Sequence, residues 1–193
     1  MDKYEYLKTH FKEIFSTYKI PKFDKSKSLM LSSRSTLTSL GTGLASTTTL
    51  STVIQGTAYV LVNGIPKFKT IPADIYPLII KYCERAKIEE PTLYTKALVT
   101  KSTFSKIRNM KETGYKPNKY TVIRLCIVLQ LSAFEMQEML AILGQPLLNS
   151  ELIDQVIYYC FENQLYDFRK IDHIYMDNKG NDDKANPLFP VLD

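Results

Sequence analysis

Lys101, Ser102, Ser105 and Lys106 stand three and four residues apart in two interleaved pairs. If the segment is helical, that spacing gathers them on one side, because residues three and four apart are neighbours on a helix surface. Two ammonium groups and two hydroxyls on one short face suit an anionic partner rich in hydrogen-bonding groups. Lysine neutralises phosphate, and a serine hydroxyl can donate to or accept from a base edge. Lys111, Lys116 and Lys119 follow and would reach neighbouring phosphates, with Arg108 or Asn109 ending the face. The same lysines could equally be the solvated face of a helical domain. Their concentration on one short segment is what favours binding.

Other chemistries find little support. There is no nucleophile elbow, no phosphate loop and no metal signature. Gly41-Thr42-Gly43 lacks the third glycine and the strand-before-helix context of a dinucleotide loop. Glu89 and Glu90 suit the start of a helix, where negative charge is favourable against the dipole, better than an acid/base dyad. Tyr158, Tyr159 and Phe161 suit a core or an interface. His10 and His173 lie far from any Cys or His at ligand spacing. Cys83, Cys126 and Cys160 are widely separated within apolar-periodic stretches, which predicts buried thiols in a reducing cytoplasm rather than disulfides. The expectation is a non-enzymatic cytoplasmic protein without a cofactor.

The net charge of +5 conceals an asymmetry. Residues 1–80 carry ten Lys/Arg against five Asp/Glu, residues 81–125 eleven against four, and residues 126–193 four against eleven. A basic middle points to an anionic partner, or to attraction between the two halves within or between subunits.

The elements that must position the lysines can be read from the apolar pattern. Pro91 suits a first helical turn, Leu93 and Ala97 face inward, and the small Ala97 permits close helix approach. Val99 plugs the corner, Thr100 caps a second helix, and Phe104 and Ile107 bury that helix against the first. Gly114 and Pro117 close the following loop before a helix begins near Asn118 or Lys119. Ile75, Leu78, Ile79, Tyr82, Cys83 and Ala86 form one helical stripe; Val122, Leu125, Cys126 and Leu129 form another. Ser132 with Glu135 makes a capping box for a helix over 132–143, which Gly144 stops. A helix follows from near Asn149 or Ser150, carrying Leu152, Val156, Tyr159 and Cys160, and a last one carries Phe168, Ile171, Ile174 and Tyr175.

The string Ala97-Leu98-Val99-Thr100-Lys101-Ser102-Thr103-Phe104-Ser105-Lys106-Ile107 resembles the helix-turn-helix of Cro-type repressors, the xenobiotic-response-element family. Lys116-Pro117-Asn118 is similar to that family's opening of the next helix, and Leu129-Gln130-Leu131-Ser132 to its closing pattern. Residues 75–177 also look like a C-terminal helical module of some bacterial multi-domain proteins that carry macro or von Willebrand A domains. Phe104 to Arg108, the Lys116-Pro117 pair, Leu140 to Gly144 and Tyr158 to Glu162 carry that likeness. The resemblance implies a bacterial or phage-type regulator that binds DNA; the alternative is an interaction module in which the same fold serves as a scaffold that recruits a protein partner or a second copy. Repressor-type domains commonly pair two half-sites as dimers. Two positions depart from the pattern. Leu98 replaces the usual turn glycine, and a left-handed conformation there costs roughly 1–2 kcal/mol; either the turn differs in shape or other packing holds it. Glu90 aligns with a glutamine that often contacts phosphate, and its charge repels a nucleic-acid backbone.

Outside this module, Tyr4, Leu7, Phe11, Ile14, Phe15 and Tyr18 predict an amphipathic helix ending before Pro21, followed by a basic polar linker to residue 28. Residues 37–66 contain no charge; their Ser/Thr/Gly-rich first half predicts an irregular segment. Asn63-Gly64 between two β-prone runs predicts a hairpin over 57–71, with Pro66 marking an edge strand. No apolar run is long enough for a spanning helix, and no secretory signal opens the chain, so no membrane partner is expected. The expected organisation is therefore mainly α: helix and linker (1–28), an uncharged segment with a hairpin (29–72), a five-to-seven-helix domain of helix-turn-helix type (73–177) and a polar tail (178–193).

Overall fold

The computed structural model describes residues 3–24, 57–62, 65–70, 73–179 and 189. The chain is mainly helical. In chain order it forms α1 (Lys3–Thr17), β1 (Thr57–Val62), β2 (Ile65–Thr70), α2 (Tyr76–Ala86), α3 (Glu90–Lys96), α4 (Lys101–Arg108), α5 (Met110–Thr113), α6 (Lys119–Val128), α7 (Ala133–Ile142), α8 (Leu152–Glu162) and α9 (Phe168–Asn178). The strands pair antiparallel, with Thr57 opposite Thr70 and Val62 opposite Ile65. The Asn63-Gly64 turn and the Ser/Thr-rich run lie outside the described residues.

The helical core is built around α6, on which Thr121, Val122, Ile123, Leu125, Cys126 and Ile127 are all buried. A helix apolar on every side belongs at the centre of a bundle, and α3 and α7 pack on it. The stripe of α2 buries Leu78, Ile79, Tyr82 and Cys83 as its periodicity predicts. The Asn118 side chain caps α6 through the Tyr120 amide. Ser132 and Glu135 form the reciprocal capping box on α7: the Glu135 amide donates to the Ser132 hydroxyl (3.3 Å), and the Ser132 amide donates to the Glu135 carboxylate (2.9 Å). Arg85 reaches the same carboxylate from α2 with both terminal nitrogens.

Five helices end alike. After α2, α3, α6, α7 and α8, the chain turns through a left-handed residue whose successor donates its amide to a carbonyl five residues back. Gly144 serves after α7, but Lys87, Leu98, Gln130 and Gln164 take this conformation elsewhere, at φ +54, +55, +49 and +57.

Two expectations for the helices change in detail. A one-turn helix, α5, falls within the predicted loop, because Asn109 both ends α4 and opens α5 while Met110 turns inward. Met110 is fully buried, and its sulfur accepts the Ile75 amide at 3.4 Å. The helix predicted from Asn149 or Ser150 begins at Leu152, because Asn149 is engaged elsewhere. Its side-chain amide accepts from the backbone N–H of Ile20 (2.7 Å) and donates to the Ile20 carbonyl (3.2 Å).

That contact makes residues 18–23 a docked segment. Ile20 is buried, Gln137 donates to the Pro21 carbonyl (3.1 Å), Phe23 packs on Phe134, and the Tyr18 hydroxyl donates to Glu162. α1 continues onto α9, where Lys8 pairs with Asp177 and Tyr4 contacts His173. Phe189, within the stretch expected to be a polar tail, is buried against Phe168. The three cysteines are free and buried, and burial pushes Cys83 up to about 11 and Cys160 up to about 12.

Candidate nucleic-acid interface

The predicted lysine-serine face lies on α4, an eight-residue helix anchored by its opposite side. Phe104 and Ile107 are buried at 1% and 0% exposure, and Phe104 packs on Tyr94 of α3 with ring centroids 5.4 Å apart. The linking turn is equally well anchored, with Leu93, Ala97 and Val99 all buried. Leu98 adopts the left-handed conformation and donates its amide to the Thr95 carbonyl (3.1 Å), while Val99 donates to Tyr94 (2.8 Å). The Thr100 hydroxyl then accepts the Thr103 amide at 3.1 Å, starting α4. No acidic residue occupies the first turn of α4, so its positive dipole end is left without a local counter-charge.

With that anchoring, Lys101, Ser102, Ser105 and Lys106 are all exposed. Lys106 extends over Tyr115, its ammonium 5.9 Å from the ring centroid. Lys111 on α5 and Lys116 in the following loop are also exposed.

Lys119 differs from the others. It donates to Oδ2 of Asp154 at 2.6 Å, and that carboxylate is completely buried. The same oxygen accepts the Leu148 amide at 2.7 Å. A cation needed to neutralise an acid inside the protein is not available to phosphate, and Lys119 drops out of the candidate set. Nothing in the sequence marks Asp154 as a core residue; its burial follows only from the docking of α8 beside the start of α6.

Arg108, the last residue of α4, is also paired. It lies on the Lys101 and Ser105 stripe, since seven residues are close to two full turns. Its guanidinium donates to Oε2 of Glu90 at the start of α3, while the Tyr76 hydroxyl of α2 donates to Oε1 at 2.6 Å. Glu90 thus faces a cation in its own chain, a partner eighteen residues away that periodicity could not reveal. The hydrogen bond to Glu90 raises the Arg108 pKa above its ordinary value.

No protein-family model, curated protein or solved structure matches the chain. Among the described residues there is no cluster of three side chains able to hold a metal ion, and no helix is long and apolar enough to cross a membrane. A cavity of about 810 Å³ lies between the ends of α2, α6 and α8 and the start of α7. Its polar lining includes Arg85, Glu135, Gln130 and Glu162, and the Arg85–Glu135 pair crosses it, so its one strong cation is already satisfied.

Proposed function

We propose that this protein is a helix-turn-helix nucleic-acid-binding regulator of the Cro-type repressor kind, bacterial or phage in type, without a catalytic role or cofactor. In this reading α3, the turn at 97–100 and α4 are the helix-turn-helix, and α4 enters a major groove. One observation carries the proposal: α4 exposes Lys101, Ser102, Ser105 and Lys106 together while its other side is sunk in the core. The left-handed Leu98 supports it, because the turn takes the shape for which the repressor pattern uses glycine. Lys101 and Lys106 neutralise phosphate or reach guanine edges, the serines bond to either, and Lys111 and Lys116 hold flanking phosphates.

The test is fluorescence anisotropy with a labelled mixed-sequence duplex across a salt series. Binding should weaken steeply with salt. Lys101→Gln and Lys106→Gln should each lower the slope of log K against log salt by about 0.9 if the lost contact is to phosphate. Absence of binding to duplex and single strands at low salt, in an otherwise folded protein, would overturn the reading.

The internal pairing of Arg108 and Lys119 favours a second reading, in which the same fold is a scaffold for a protein partner or a second copy. The cationic face is then smaller than the sequence suggests. Solution mass measured with and without a co-purifying polypeptide separates that reading from the first.

A further inference from the structure

We infer that Glu90 acts as a built-in competitor for Arg108, occupying with a carboxylate the place that a nucleic-acid phosphate would take. The inference rests on the nucleic-acid reading of α4 and adds a control on its strength.

Three observations carry it. The first is position: Arg108 shares the stripe of Lys101 and Ser105, and seven residues along a helix place it about 10.5 Å from Lys101, directly below it. The second is the asymmetry of the pair. The Glu90 side chain is 20% exposed and sits within the α2–α3–α4 junction, whereas the Arg108 side chain is 49% exposed. The acid is held by Tyr76 as well as by Arg108, and the guanidinium is the more solvent-exposed partner of the two. The third is that Glu90 is fixed from behind, with Oε1 accepting from Tyr76 and Oε2 from Arg108. If Arg108 left, the carboxylate would keep its bond to Tyr76 and remain partly open to water, so its charge would not be stranded in a dry site.

Carboxylate and phosphate bind a guanidinium with the same planar, charge-assisted geometry, so either can satisfy Arg108. Exposed ion pairs are individually weak, and the exchange can therefore occur near balance. With Glu90 in place, Arg108 contributes little to the net attraction, and the remaining acid repels the incoming backbone. Without that charge, Arg108 becomes a further phosphate contact in line with Lys101.

The experiment uses the full chain and the same labelled duplex, comparing wild type, Glu90→Gln, Arg108→Gln and the double variant, with melting temperatures as a folding control. Glutamine keeps an acceptor for Tyr76 and removes only the charge. Glu90→Gln should tighten binding about five- to tenfold at 0.1 M salt and steepen the salt slope by about 0.9, the value for one added phosphate contact. Arg108→Gln alone should change affinity less than about twofold, since the arginine is engaged elsewhere, and the double variant should lose the gain of Glu90→Gln.

A gain that persists in the double variant would overturn the inference, because it would reflect charge removal alone. So would an Arg108→Gln loss as large as that of Lys101→Gln. If wild type binds and Glu90→Gln binds no better, the competitor role fails while the nucleic-acid reading stands. If neither binds, both fall.

Discussion

Seven side chains share the sequence signature of a nucleic-acid contact, and one partner separates Lys119 from the rest. Its ammonium meets an Asp154 carboxylate with no solvent exposure, while Lys101 and Lys106 extend from an exposed helix face. Removing one member of a buried pair leaves an uncompensated charge, at a cost of about 3–5 kcal/mol. Lys119→Ala should therefore lower the denaturant midpoint sharply. Lys101→Gln should leave it nearly unchanged, as surface substitutions usually do. Equal stability of the two variants in urea titrations would contradict the structural role of Lys119. The lysine face itself was legible in the sequence because a helix repeats its neighbours every three or four residues. The Asp154 and Glu90 partnerships were not, because they join residues 35 and 18 positions apart through the packing of separate helices.

Among the elements, the helix starts follow local chemistry closely. Thr100 and Ser132 cap the helices that the sequence assigns them, and Asn118 caps the helix expected to begin near Asn118 or Lys119, since a cap needs only a side-chain oxygen and an amide two or three residues on. The helix ends behave differently. Lys87, Leu98, Gln130 and Gln164 adopt left-handed backbone that glycine would accept without a Cβ penalty. They hold it because the next residue in each case is apolar and packs inward (Ile88, Val99, Leu131 and Leu165). Replacing the exposed Lys87 or Gln130 by glycine should stabilise the protein by about 0.5–1 kcal/mol each. The relieved backbone cost of roughly 1–2 kcal/mol is partly offset by the greater freedom of glycine in the unfolded chain. Leu98→Gly should gain less, because Leu98 is half-buried and gives up packing. Urea midpoints that fall for Lys87→Gly and Gln130→Gly would show that the side chains contribute more than the backbone costs.

At the scale of the whole molecule, the N-terminal segment is part of the helical domain. Asn149 bonds both polar backbone groups of Ile20, supplying the pair of hydrogen bonds that a neighbouring strand would otherwise provide. Tyr18, Phe23 and the α1–α9 contact extend that attachment on both sides. Asn149→Ala should loosen the segment without unfolding the core. Limited trypsin digestion should then cut faster at the exposed Lys19 and Lys22 while the three buried thiols stay unreactive toward a maleimide. An unchanged cleavage rate would mean that the aromatic contacts alone hold the segment.

The sequence by itself determined where the main helices lie, how the capped ones begin and one apolar stripe on each; it missed α5 and set the start of α8 two or three residues early. Each of the features it determined depends on residues within one or two turns of each other. It also showed where positive charge concentrates. Only the tertiary structure decided which of those charges remain open to a partner. Lys119 and Arg108 are as basic as Lys101 and Lys106, but each lies beside an acid brought to it from another helix. Charge is a property of a side chain, whereas its availability depends on what the fold places next to it, and the candidate interface is narrower than its composition for that reason.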